Sequence, residues 1–220
     1  MKKYLLFFVF FLLLFQSLLG QKKVIGQLDL NVGFLYISDI QINKILKTND
    51  LPEVKLLNNY IGINIDVCFR KFIFSTEGGI LNSRSKKEEY STNVSGLMGA
   101  IGLGYSFLKT DNVNVGLLGF VSVIPTEIKL SYDKSSVDMG SLDPKINSGL
   151  VNLNYTPINF GINLKSTFFN NSTIPIGISF SYEIGINKPE VKSDYANISN
   201  PVKEKGDRLS IKLSILINKY

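Results

Sequence analysis

Ile176-Gly-Ile-Ser-Phe-Ser-Tyr-Glu-Ile-Gly-Ile186 is the stretch that decides the fold. Its even positions are all bulky and apolar or aromatic, and its odd positions are Gly, Ser or Glu. A period of two belongs to a β-strand whose faces meet different surroundings. The pattern repeats along the chain. Leu28, Leu30, Val32, Phe34 and Tyr36 alternate with Gln27, Asp29, Asn31, Gly33 and Leu35. Ile61 to Phe69 alternate with Gly62, Asn64, Asp66 and Cys68, and a third segment places Phe72, Phe74, Thr76, Gly78 and Ile80 on one face. A fourth sets Leu97, Ile101, Leu103, Tyr105 and Phe107 against Gly96, Met98, Ala100, Gly102 and Gly104. The fifth holds Val113, Val115, Leu117, Val121 and Val123. The last sets Leu209, Ile211, Leu213, Ile215 and Ile217 against Ser210, Lys212 and Ser214. With a longer, irregular sixth segment at about 148–167, eight strands are predicted, each close to the roughly 9–11 residues that a tilted membrane strand needs.

The sixth segment changes phase. Val151, Leu153 and Tyr155 are odd-numbered, whereas Phe160, Ile162 and Leu164 are even. A β-bulge at Thr156-Pro157 accounts for the change. A tight turn there is the alternative and gives nine strands, an odd number with two halves that barely span.

The connections alternate in length. Links at 38–57, 83–91, 125–147 and 188–206 are mostly long and hold most of the charge. Those at Arg70-Lys71, Lys109–Asn112 and Asn170–Ser172 are short. Tight turns on one side and long loops on the other are the layout of an outer-membrane barrel. The second strand face is mostly Gly, Asn, Ser and Ala. It is too small and too lightly charged for a solvated exterior and suits the narrow interior of a small barrel. The fold class expected is therefore all-β: an eight-stranded antiparallel up-and-down transmembrane β-barrel with long outer loops and short periplasmic turns. Its Ile/Leu/Val/Phe face meets lipid, and closure satisfies the backbone. Tyr36, Tyr60, Tyr105 and Tyr155 lie near strand ends and are expected in the interfacial aromatic girdles. A soluble lipocalin-like binding barrel, with the faces reversed, is the rival architecture.

By parity Asp29, Asp66, Glu77, Lys165, Glu183 and Lys212 point into the bore. Buried charges without partners are expensive, so these six are expected to form a structural plug of salt bridges and hydrogen bonds. A thin water-filled path is the alternative. Cys68 also faces inward by this register, as a small core-filling thiol.

Composition narrows the function. The chain has 220 residues, 45% of them hydrophobic, and no later segment is apolar for long enough to span as a helix. There is no histidine, which removes histidine-based triads, most zinc sites and the commonest general base. The single cysteine excludes an internal disulfide. No catalytic, cofactor or metal site is predicted, and no cofactor is expected. The formal charge of +6 falls to +4 without Lys2 and Lys3, and no basic block supports nucleic-acid binding.

Met1-Lys2-Lys3, an apolar run from Tyr4 to Phe15, and Gln16-Ser17 have the layout of a secretory signal peptide. Cleavage is placed after Gly20, giving residues 1–20 as signal and 21–220 as one barrel domain. Signal, alternating segments, loop asymmetry and a final strand Leu209-Ser-Ile-Lys-Leu-Ser-Ile-Leu-Ile-Asn-Lys-Tyr220 together resemble the small outer-membrane β-barrel proteins of Gram-negative bacteria, of OmpA/OmpX type. The resemblance implies residence in the outer membrane, contact with its lipids, and recognition of the terminal aromatic by the barrel-assembly machinery. Tyr220 is out of phase with Leu209 to Ile217. The function expected is a non-enzymatic envelope-structural or surface-interaction role through the outer loops, with an unidentified loop-binding partner. A narrow channel and a soluble binding barrel remain the alternatives.

Overall fold

The computed structural model describes residues 24–38, 40–132, 151–169, 172, 174–193, 201–204 and 206–219. The expected signal peptide and Tyr220 lie outside them, as do 133–150 and 194–200 of the outer loops. In chain order the elements are β1 (Val24–Ile37), α1 (Ile42–Thr48), β2 (Leu57–Phe69), β3 (Phe72–Lys87), β4 (Tyr90–Lys109), β5 (Val113–Val123), β6 (Thr126–Tyr132), β7 (Val151–Tyr155), β8 (Ile158–Phe168), β9 (Ile176–Gly185) and β10 (Arg208–Lys219).

Every pairing is antiparallel, and β10 returns to pair with β1. β5 and β6 pair in succession with β4, while β8 and β7 pair in succession with β5 and β6. They act as two long strands, so the described residues close into the expected eight-stranded barrel. The apolar faces stack in cross-strand rows, such as Ile63–Leu30–Ile215 and Ile61–Val32–Leu213. These rows lie on the outside of the wall, with Ile63, Val32 and Leu213 each about half exposed. That orientation removes the lipocalin-like alternative, whose apolar face would fill the interior.

The expected bulge at Thr156-Pro157 does not occur. Val123 pairs with Ile158 and Thr126 with Tyr155, so one register crosses the break. Tyr155, Pro157 and Asn159 are all buried, which keeps odd residues inward on both sides. The proline lacks an N–H and only interrupts the ladder. Pro125 does the same in the adjacent strand, and carbonyls carry the pairing across, from Leu97 N to Pro125 O (3.1 Å) and from Ile124 N to Pro157 O (3.2 Å). What inverts is the surroundings. Below this level the outside is apolar and the inside polar. Above it Ile124, Ile128, Val94 and Tyr155 turn apolar surface inward, and Glu127, Lys129 and Ser95 face out.

The real bulges lie at the short-turn end. Phe107 is the extra residue between the pairs Ser106–Gly116 and Leu108–Val115. Ile217 is the extra residue between Asp29–Leu216 and Leu28–Asn218. The second bulge shifts the pairing register at the end of β10 by one residue.

Three of the expected outer loops contain regular structure. The link at 83–91 is the tip of a β3–β4 hairpin, paired out to Lys87–Tyr90 around Glu88-Glu89. The link at 125–147 begins with β6, and 38–57 contains α1. The hairpin tip at 83–91 carries no apolar alternation, yet its backbone ladder continues because a neighbour lies alongside, whereas β6 does alternate, Ile128 and Leu130 against Glu127 and Lys129.

Candidate functional site

The bore is built in layers. Nearest the short turns, Lys165 of β8 forms ion pairs with Asp29 of β1 and with Asp66 of β2, the latter at 2.5 Å. Neighbouring amides fill the remaining acceptor positions. Gln27 Nε2 donates to Asp29 Oδ1 (2.9 Å), Asn64 Nδ2 donates to Asp66 Oδ1 (2.8 Å), and Ser75 Oγ donates to Asn64 Oδ1 (2.9 Å). Cys68 is half-buried beside this layer, facing inward as expected.

In the middle, Lys212 Nζ donates to Glu77 Oε1 at 2.7 Å, and Tyr60 Oη donates to the same oxygen at 2.7 Å. The Lys212 ammonium lies 4.6 Å from the centre of the Tyr60 ring, a cation–π contact. Tyr60 crosses the bore over two glycines. A Cβ on Gly62 would stand 2.1 Å from the Tyr60 hydroxyl, and one on Gly79 would stand 2.4 Å from it.

The next layer holds Glu183, whose Oε2 accepts from Ser122 Oγ (2.5 Å) and Asn159 Nδ2 (3.2 Å). Arg208 is its cross-strand partner in the β9–β10 register, and both are buried. Pairing in antiparallel register puts the guanidinium and the carboxylate on the same face, where opposite charges attract.

All six bore residues named from parity face inward, and five of them meet an opposite charge through the two ion-pair groups. Sequence reasoning missed Arg208 and Tyr60, and it put the amides Gln27, Asn31 and Asn64 on the inward face without counting them in the cluster. Parity marks each of them, Arg208 standing next to the outward Leu209. Tyr36 and Tyr105 lie on the outer wall as expected, but Tyr60 and Tyr155 are only 1% and 7% exposed and belong to the interior. Tyr60 is one step out of phase with Ile61, which already excludes it from the wall.

Three cavities lie among the bore side chains, of about 20, 10 and 10 Å³. Each is about the size of one water molecule. Above them the filling becomes mainly apolar, with a few buried polar groups such as Ser83, whose Oγ donates to Asn58 Oδ1 (2.6 Å). Leu35, Ile37, Tyr60, Leu81, Val94, Met98, Ile124, Ile128 and Tyr155 form an apolar core, closed from above by Ile42 and Leu46 of α1. Burial pushes the Tyr155 hydroxyl up to about 12.

The loops are clasped over this core. Glu204 accepts from the backbone N–H groups of Gln41 (3.0 Å) and Ile42 (2.7 Å). Asn43 bonds the backbone of Val54 in both directions, at 2.9 and 2.7 Å. Outside, Lys87 is ion-paired with Asp50, which raises its ammonium above the ordinary lysine value. Lys129–Glu127 (3.3 Å) and Lys203–Glu190 (3.6 Å) pair likewise.

A closed antiparallel wall with an apolar exterior and a charged interior defines the outer-membrane β-barrel fold, and this chain has it. Neither a protein-family model nor a curated protein matches the sequence. Among solved structures, the chain is similar to a major outer membrane protein from Thermus thermophilus, at 7% identity and a TM-score of 0.54, covering 89% of this chain and 99% of that one. It is also similar to Ail, the attachment invasion locus protein of Yersinia pestis, in complex with the heparin analogue sucrose octasulfate. That match has 8% identity and a TM-score of 0.52, covering 90% and 99%. Neisserial surface protein A aligns at 11% identity and a TM-score of 0.48, covering 89% and 98%.

Proposed function

We propose that the chain is a non-enzymatic integral outer-membrane protein that presents its folded outer extension to the surroundings of the cell. The carrying observation is the inversion at Pro125 and Pro157. Below that level the wall is built for lipid, and above it the same strands enclose an apolar core behind a polar surface.

The dimensions suit a bilayer. From Phe72 to Ile80 the β3 wall rises by about 26 Å at ~3.3 Å per residue. A tilt of about 40° leaves roughly 20 Å across the membrane, near the apolar band of such barrels. The short turns then face the periplasm, and α1 with the β3–β4 hairpin faces outward. Insertion falls to the barrel-assembly machinery, and lipids surround the wall.

The apolar core supports a surface role over a channel, because it blocks the outer mouth of a bore whose cavities are already water-sized. Ail's sulfated ligand belongs to Ail. Here Lys87, Lys129 and Lys203 are each paired with an acid, which weakens their attraction for a polyanion.

Two measurements test the reading. Purified folded protein in planar bilayers is expected to show no stable conductance steps, and large reproducible steps would restore the channel. Replacing Arg84–Asn93 by a two-residue turn is expected to leave the heat-dependent gel shift intact and to remove any adhesion of producing cells. Loss of folding instead would assign the hairpin a structural role.

A further inference from the structure

The outer wall is not uniform at its short-turn end. A groove of about 590 Å³ runs between β2, β3, β4 and β5, lined by Val67, Phe74, Leu103 and Leu117, with Phe69 and Tyr105 at its rim. Its size falls in the roughly 300–1,000 Å³ range of ligand pockets. Val67 marks the floor. Its neighbours on the same face of β2, Ile63 and Ile65, are 50% and 43% exposed, whereas Val67 is 8% exposed. An acyl chain lying here is enclosed from both sides, where elsewhere on the wall it touches one surface.

The rim adds charge at a defined place. Arg70 and Lys71 form the turn between β2 and β3, directly beside the groove. The Arg70 guanidinium lies 5.4 Å from the centre of the Phe69 ring, and the Lys71 ammonium lies 5.8 Å from that of Tyr105. Both rings are walls of the groove, so each cation is held over the aromatic surface that an acyl chain would contact. Arg70 also has φ 55°, a left-handed conformation that Gly or Asn takes more readily.

From the groove and its two cations we infer a binding site for one phospholipid of the periplasmic leaflet. The acyl chain lies along Val67, Leu103 and Leu117, and the phosphodiester is held between Arg70 and Lys71. A guanidinium and an ammonium supply charge-assisted hydrogen bonds to phosphate oxygens. This inference rests on the outer-membrane orientation proposed above. It is testable in detergent, where loss of the site does not depend on where the protein resides in the cell.

The experiment is native mass spectrometry of the folded chain with palmitoyl-oleoyl phosphatidylglycerol, and in parallel with the matching diacylglycerol, which lacks phosphate. One phosphatidylglycerol is expected to survive removal of detergent, with diacylglycerol retained at least tenfold less. Arg70→Asn combined with Lys71→Gln is expected to lower retention about tenfold. Asn suits the turn, so the heat-dependent gel shift should persist. Leu117→Trp, which fills the groove and leaves both cations, is expected to lower retention as well. A graded ladder of lipid adducts with no preferred single species would overturn the site. So would equal retention by wild type and the charge variant, or equal retention of the two lipids.

Discussion

Lys165→Met tests whether the bore is a dry structural plug. Lys165 is the cation shared by Asp29 and Asp66, and all three side chains are almost fully removed from solvent. Methionine keeps most of the volume and removes the charge. Two adjacent carboxylates then remain in the wall's interior with only amide and hydroxyl donors, Gln27, Asn64 and Ser75, around them. Orphaning a buried ionic partner costs about 3–5 kcal/mol. At a urea dependence of about 2 kcal/mol per molar, the unfolding midpoint falls by roughly 2 M.

Asp66→Asn is the control. It leaves one lysine against one aspartate and preserves an acceptor for the ammonium, so its expected loss is about 1 kcal/mol, near that of a single hydrogen bond. A third variant, Lys165→Met with Asp29→Asn and Asp66→Asn, removes every charge in the layer. Its midpoint is expected to recover most of the loss, because no buried charge is left unpaired. The assay is urea unfolding of the protein folded into lipid vesicles, followed by tyrosine fluorescence or gel mobility. If Lys165→Met costs no more than Asp66→Asn, the carboxylates are solvated and the bore is wet, against the filled interior described here.

Other outcomes follow from the same geometry. Gly62→Ala places a methyl group against the Tyr60 hydroxyl and the Gly78 carbonyl, and is expected to cost about 1–3 kcal/mol in the same urea assay. Tyr60→Leu on the Gly62→Ala background should return part of that loss, and no recovery would mean that Tyr60 is not the obstacle. In a Cys68→Ser background, the pairs Ser122→Cys/Asn159→Cys and Glu127→Cys/Asn154→Cys flank the proline break and should both cross-link under mild oxidation. A bulge between them would move one pair out of register and abolish its cross-link. Cys68 in the otherwise unchanged protein should react with a bulky maleimide far more slowly when folded than in urea. Fast labelling of the folded form would place its side chain on the outer surface.

Much of the wall was legible because an apolar exterior and a polar, packed bore lie on the two sides of one sheet. Each strand must then alternate, and Ile176 to Ile186 alternates without exception. The same parity placed Asp29, Asp66, Glu77, Lys165, Glu183 and Lys212 inside, and the structure finds them there. It failed at 148–167 for a physical reason. The alternation of apolar residues reports which side is apolar, and that side changes at the level of Pro125 and Pro157. The sequence signal at Thr156-Pro157 was therefore an inversion of which side is apolar, and a bulge was the wrong account of it. The outer hairpin at 83–91 was illegible for a related reason. A ladder of backbone hydrogen bonds with polar residues on its outer face carries little pattern of its own.

What the sequence by itself determined is the strand alternation, the apolar face that lies outside and the six charges that turn inward, since these follow from the chemistry of single residues and a period of two. Only the tertiary structure decided how those charges pair, which of them Tyr60 and Arg208 meet, and that an apolar core under α1 seals the outer mouth. Closure brings β1 beside β10 and sets Lys165 against Asp29 across 136 residues of chain, a distance over which local pattern carries no information.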